Sequence, residues 1–376
     1  MNASTLSLGR KPRVAIVLLN LGGPDKMESV YPFLLNLFKD PAILRVPGFI
    51  RPLLARIIAT ARKKPASANY ALLGGKSPLL ELTALQADAL EAALPELDAR
   101  CFIAMRYWHP FSEQTAREVK AFDPDEVVLL PLYPQHSTTT TGSSFTAWRE
   151  AAASVGLVKP VTSICCYHSD PGFIAATAAI LRTAYMEARA ELDPAIPLRL
   201  LFSAHGLPES IVLAGDPYQH QVERTVAAVV RQMAIPELDQ LVCYQSRATP
   251  QKWIGPSTED EIARAGREKV ALLVAPIAFV SDHSETLVEL DIEYRELAEE
   301  DGVPAYFRAP VQNADPAFIQ SLADLVRRSR NRGVGLCSFA GSRTCYKPHS
   351  DCPHARAGAV APPGPEAVVP TLATVA

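Results

Sequence analysis

Nowhere in this chain of 376 residues does an apolar run reach bilayer-crossing length, because prolines, arginines or polar residues interrupt each one. Met1 to Arg10 lacks the apolar centre of a secretory signal. These absences predict a soluble, cytoplasmic protein. No Gly-x-Gly-x-x-Gly follows a strand, and Gly74-Gly75-Lys76-Ser77 lacks the spacing of a nucleotide phosphate loop, so neither a dinucleotide nor ATP is expected. The charge is close to balanced at −3, which argues against nucleic-acid binding. Seven cysteines in so long a chain do not make a disulfide scaffold. One absence is local. Residues 41–80 contain no acid, yet hold Arg45, Arg51, Arg56, Arg62, Lys63, Lys64 and Lys76 among apolar residues such as Phe49, Leu53 and Ile57. Such a stretch reads either as a peripheral membrane contact or as a core-packing helix with a solvated basic edge.

What is present is abundant apolar sequence, 48% of the chain, enough for a large core and two lobes. Strand-like runs at 14–19, 101–105, 126–132, 161–167, 198–203, 241–245 and 270–279 alternate with helical patterns at 29–39, 79–94, 115–121, 171–192, 220–233 and 259–265. That alternation predicts parallel βαβ units, hence an α/β fold of two similar doubly wound lobes. The expected division is 12–170 and 171–330, followed by a cysteine-containing extension at 331–354 and a disordered tail at 355–376. The strand-and-loop text at 126–137 is echoed at 269–284, as a duplicated lobe or generic α/β sequence would produce.

In such sheets ligands bind beyond the carboxyl ends of the strands. His205 falls just past one strand. His283 and Glu285 fall past another, in Ser281-Asp282-His283-Ser284-Glu285. Glu285, Glu289 and Glu293 are spaced i, i+4, i+8, so a helix stacks them on one face, at a cost of a few tenths of a kcal/mol per like-charged pair, on the order of what a nearby cation would offset. Histidine with glutamate and no thiolate suits a divalent ion held loosely and passed on. Residues 135–144 open a helix with Ser137 and four threonines, which reads as an anion site or as simple capping. Arg106 can pair with a carboxylate, Tyr107 offers a ring and a hydroxyl, and Trp253 is a second loop aromatic suited to a large flat ligand or to ordinary packing.

Taken in order, these segments resemble the ferrochelatases: Leu19-Asn20-Leu21-Gly22-Gly23-Pro24, Gly74-Gly75-Lys76-Ser77-Pro78, Arg106-Tyr107-Trp108-His109-Pro110, Pro131-Leu132-Tyr133-Pro134-Gln135, Ser203-Ala204-His205-Gly206-Leu207-Pro208, Tyr244-Gln245-Ser246-Arg247 and Pro276 through Tyr294. The resemblance spans about residues 12–330. It implies two Rossmann-like lobes with a porphyrin cleft between them, and insertion of Fe²⁺ into protoporphyrin IX to form protohaem. His205 and Glu285 then become the essential pair, with His283 as a further metal contact. Asp282, Glu289 and Glu293 become a proton or metal path on a helix widened to a π-type turn. Leu21, Arg106, Tyr107 and Ser137 fall where the family lines its porphyrin pocket, with Leu21 where some members carry Met.

The resemblance makes Fe²⁺ a substrate, with no cofactor required for the chemistry. Some ferrochelatases hold a [2Fe–2S] cluster on C-terminal cysteines plus one upstream. Here Cys337, Cys345 and Cys352 are the candidates, and Cys101, Cys165, Cys166 or Cys243 would have to supply the fourth ligand. The expected partners are the porphyrin, Fe²⁺ and a membrane surface touched peripherally, with the protein a monomer or homodimer. A chelatase for coproporphyrin or another metal, and a non-catalytic porphyrin carrier, are the alternatives.

Overall fold

The computed structural model describes residues 10–247, 251–346 and 348–357. Among the described residues nine strands form two sheets, and every strand pairing in them is parallel. The first sheet takes β1 (Arg13–Asn20), β2 (Asp98–Met105), β3 (Glu126–Pro131) and β4 (Val161–Ile164). The second takes β5 (Leu198–His205), β6 (Gln240–Gln245), β7 (Ala271–Pro276) and β8 (Tyr306–Arg308). The strand β9 (Gly335–Cys337) belongs to the first sheet. The orders are β2-β1-β3-β4-β9 and β6-β5-β7-β8. Each sheet therefore begins with a central strand flanked by its two successors. The echoed segments, β3 and β7, occupy the same place in their respective sheets. No helix among the described residues is long and apolar enough to cross a membrane.

The strands are nearly continuous apolar runs because both faces of each sheet are covered. Alternate residues of β1 point to opposite sides. Val14, Ile16 and Leu18 join a core that continues to Leu198, Leu200 and Phe202 of β5. Between the sheets lie apolar faces of the helices Leu79–Ala92, Pro171–Glu191, Tyr218–Met233 and Pro316–Asn331. Ala15, Val17 and Leu19 face outward onto Val119 and Trp148. Leu201 of β5 faces outward onto Ile262 and Leu290. The helix starts are fixed locally. Asp170 accepts from the Gly172 and Phe173 amides ahead of Pro171, and Asp315 does the same for Ala317 and Phe318 ahead of Pro316.

Two features depart from the expected pattern. The chain does not lose its order after residue 330: β9 pairs with β4, and the Cys337 carbonyl accepts from the Cys165 amide at 2.7 Å. The acid-free stretch is a helix, Arg51–Leu72, preceded by a loop rather than helical from residue 41. Of the expected disordered tail, residues 358–376 lie outside the described residues.

Candidate active site

The segments that follow β3 and β7 meet, since the Gln135 amide donates to the Ile277 carbonyl. At the end of β1, Gly22 takes a φ of +86° and presses against the Met105 side chain and the Trp108 backbone, where a Cβ would have no room. The extended pairing continues past the strands, as Arg106 N donates to Asn20 O and Tyr107 N to Leu21 O. Buried side chains tie the two sheets together here. The Gln86 amide donates to the carbonyls of Val280 (3.2 Å) and Asn313 (2.9 Å), and the Gln135 amide to Thr225 Oγ1 and the Ile277 carbonyl.

His205 ends β5 and Glu285 opens the helix after β7. His205 Nδ1 lies 3.2 Å from Glu285 Oε2, and His283 Nε2 lies 3.6 Å from the same oxygen. Glu285–Glu293 is a π-helix, which hands over to an α-helix, Tyr294–Glu300. The Tyr218 hydroxyl donates to the His205 carbonyl at 3.0 Å and holds the strand end. Burial disfavours the His205 imidazolium, but the charge and contact of Glu285, helped by Glu289, outweigh it and raise the imidazole pKa. Burial likewise works against the Glu285 carboxylate, yet His205 and His283 outweigh it, and its pKa falls well below the usual range. Glu289 moves the other way, raised by burial and then by the Glu285 charge.

The ladder is not three equivalent rungs. Glu289 is half enclosed, accepting from Gln245 Nε2 (3.0 Å) and Ser246 Oγ (2.6 Å). Glu293 reaches the opposite side and accepts from Asn69 Nδ2 at 3.2 Å. Asp282 is not with them. Its oxygens accept from Asn313 (2.9 Å), Thr286 (2.8 Å) and Arg308 (3.2 Å), so it braces the loop.

Other expected contacts are committed elsewhere. Arg106 spends its guanidinium on buried Asp40 (2.8 Å) and on Ser143 Oγ (2.6 Å), and the Tyr107 hydroxyl donates to the same Asp40. The Ser137 hydroxyl is buried between Asp216 and the Thr139 amide, and Asp216 also takes the Thr138 amide and hydroxyl. A carboxylate of the chain thus lies at this helix start, and the Ser137 side chain caps it by accepting from the Thr139 amide. Leu21 is partly buried beside Trp108 and Tyr31. Trp253 packs over Gly206, next to His205.

Asp40, Tyr70, Gln245 and Tyr294 were not legible as site residues. Tyr70 bonds to Ser284 and feels the charge of Glu285, with burial lifting its hydroxyl to about 12. Its only sequence signal is its place four residues before Gly74-Gly75.

The three C-terminal cysteines do not form the expected set. Cys337 turns its thiol to Ser329 and the Ser338 carbonyl. Cys345 and Cys352 are free thiols; Gln221 Nε2 donates to Cys345 Sγ at 3.1 Å, and the neighbouring Cys345 thiol lowers Cys352 to about 6. Among the described residues no group of three or more His, Cys, Asp or Glu is placed to hold a metal ion. β9 holds Cys337 on the edge strand of the first sheet, beside Cys165.

Two parallel α/β lobes, with an imidazole–carboxylate pair at the strand ends of the second and acids behind it, define a two-lobed enzyme of the chelatase kind. The family profile described as Ferrochelatase matches residues 13–330. A ferrochelatase of Caulobacter vibrioides is 53% identical over 345 residues, which cover 91% of this chain and 97% of that protein. One of Phenylobacterium zucineum is 51% identical over 345 residues, covering 90% and 97%. The sirohydrochlorin chelatase SirB of Bacillus subtilis subspecies spizizenii, solved with cobalt, superposes with a TM-score of 0.48 at 12% identity, over 85% of this chain and 96% of that one. The chain belongs to the ferrochelatase family and is an enzyme of that family.

Proposed function

We propose that the protein inserts Fe²⁺ into protoporphyrin IX to give protohaem, with His205 and Glu285 as the catalytic pair. The observation that carries this reading is the contact of both His205 and His283 with one Glu285 oxygen, at 3.2 and 3.6 Å. Insertion exchanges two pyrrole N–H protons for one dication. An imidazole at the macrocycle centre accepts such a proton. A carboxylate flanked by two histidines suits a divalent ion in passage. Fe²⁺ arriving at Glu285 opposes the field that favours the His205 imidazolium, so the metal itself favours the basic form. Glu289 continues the path behind the pair, and Glu293 lies at its outer end.

Leu21, Tyr70 and Trp253 are the side chains we assign to the walls of the porphyrin cleft. Arg106, Tyr107 and Ser137 support those walls from behind, since their polar atoms are bonded to Asp40, Ser143 and Asp216. The macrocycle is apolar at its faces. The exposed residues Phe49, Ile50, Leu53 and Ile57 beside Arg56 support delivery from the surface of the cytoplasmic membrane.

Mixing purified protein, Fe²⁺ and protoporphyrin IX anaerobically tests the reading, with haem absorbance as the signal. His205→Ala is expected to lower turnover by about 10²-fold or more, while quenching of porphyrin fluorescence still reports binding. Turnover that survives the substitution would overturn the assignment. Coproporphyrin supplied in competition tests the choice of tetrapyrrole.

A further inference from the structure

The acids behind the catalytic pair offer two ways out, and they divide at Glu289. One leads to Glu293, whose carboxylate accepts from Asn69. The other is formed by a residue outside the ladder. Tyr294 is 5% exposed, and its hydroxyl oxygen lies 3.1 Å from Glu289 Oε1 and 3.3 Å from Glu259 Oε1. Glu259 lies in the first turn of the helix Thr258–Glu268 and is partly open to solvent.

A phenol has a single hydrogen to donate. Placed between two carboxylates it satisfies one and repels the other, unless the second carries a proton of its own. Glu289 is the one suited to carry it, because it is largely enclosed and feels the charge of Glu285, whereas Glu259 lies partly open to solvent in the first turn of its helix. The other Glu289 oxygen accepts from Ser246 and Gln245. The Gln245 amide is oriented by Ser203 Oγ, which donates to its oxygen at 2.7 Å. The oxygen facing Tyr294 is therefore the one left for the proton.

We propose that Tyr294 and Glu259 form the proton outlet of the site, carrying to solvent the protons that metal insertion releases. The step balances without a co-reactant. The Glu289 carboxyl gives its hydrogen to the Tyr294 oxygen as the phenol hydrogen passes to the Glu259 carboxylate. One O–H bond breaks and one forms at the phenol, and Glu259 then loses its proton to water. Tyr294 is a positioning and relay residue, since it touches neither porphyrin nor metal. The proposal deepens the ferrochelatase reading and rests on it.

Full-length protein with Fe²⁺ and protoporphyrin IX tests the outlet. Tyr294→Phe keeps the buried ring and deletes only the hydroxyl. It is expected to lower kcat about tenfold, with both KM values within about twofold of the parent and a larger solvent deuterium isotope effect on kcat. Glu259→Gln, at a partly exposed position, is expected to do the same. The double variant should be no slower than either single one, because both interrupt one path. Unchanged kcat in both variants would overturn the outlet, as would an effect confined to KM. A slow Glu293→Gln variant with an enlarged isotope effect beside a normal Tyr294→Phe would assign the outlet to Glu293 instead. Parent protein that makes no haem would sink the underlying reading, and the outlet with it.

Discussion

At the scale of single residues, hydrogen-bond partners decide what a side chain does. Arg106, Tyr107, Ser137 and Asp282 are the kinds of residue that bind ligands, and each is occupied by a partner far away in sequence: Asp40, Asp216 or Arg308. Histidines show the same dependence. His136 and His168 are buried, and burial lowers their pKa values to about 4 and about 3; in His168 the neighbouring His220 and Arg224 add to the effect. Burial and then His349 lower His220 to about 4. In the unfolded chain these groups titrate near 6.5. Between those values the unfolded state binds more protons, so stability is fully present above about pH 6.5 and declines as pH falls toward about 4. His136 and His168 each contribute on the order of 3 kcal/mol to that slope. Melting curves from pH 7.5 to 4.5 are expected to fall steeply below about pH 6.5, and to fall less in His168→Gln. A flat profile for the parent protein would contradict the assignment of neutral buried imidazoles.

At the scale of elements, most strands and helices were legible because apolar runs and helical periodicity are local properties. The β1 run and the helix at 171–191 needed no information from elsewhere. What escaped notice was short or conditional. β8 and β9 have three residues each, too few for a period, and they exist only because a neighbouring strand offers an edge. The helix Arg51–Leu72 was legible as amphipathic but not as to what its apolar side meets. Its buried positions are the small Ala55 and Ala59 and, near its end, Tyr70, while Leu53 (62%), Ile57 (57%) and Phe49 (85%) just ahead of it are exposed. Arg51 is not part of a free basic face, since it donates to the Leu44 and Val46 carbonyls. A membrane contact by this element should therefore depend on the exposed apolar side chains and on Arg56. Each such side chain placed in lipid contributes about 1.5–3 kcal/mol. Replacing Phe49 and Ile57 by Ser is expected to reduce co-sedimentation with anionic vesicles at least about tenfold while leaving turnover on detergent-dispersed porphyrin intact. Sedimentation equal to that of the parent would remove the membrane from the account.

At the scale of the molecule, we propose that 12–170 and 171–330 are architectural halves of one folding unit, with 331–354 stitched back into the first half. A single apolar core runs from β1 to β5 through four helices. Gln86 and Gln135 cross that boundary with buried hydrogen bonds, and losing either partner would leave a polar group unpaired at about 1–3 kcal/mol. The catalytic geometry needs this rigidity, because His205 and Glu285 come from separate strand ends while Tyr70 meets Ser284 from the other lobe. The last strand closes the argument, since β9 reaches the first sheet only after the second is complete. Calorimetry is accordingly expected to give one unfolding transition with matching calorimetric and van't Hoff enthalpies. A chain ending at Arg330 would expose the edge of β4 and leave the Cys165 amide without the Cys337 carbonyl. It should melt in one transition at a lower temperature, by roughly 1–2 °C per kcal/mol lost for a chain of this size. Two resolved transitions, with only the first moved by the truncation, would mean that the halves fold independently and that the site is held by docking rather than by a shared core.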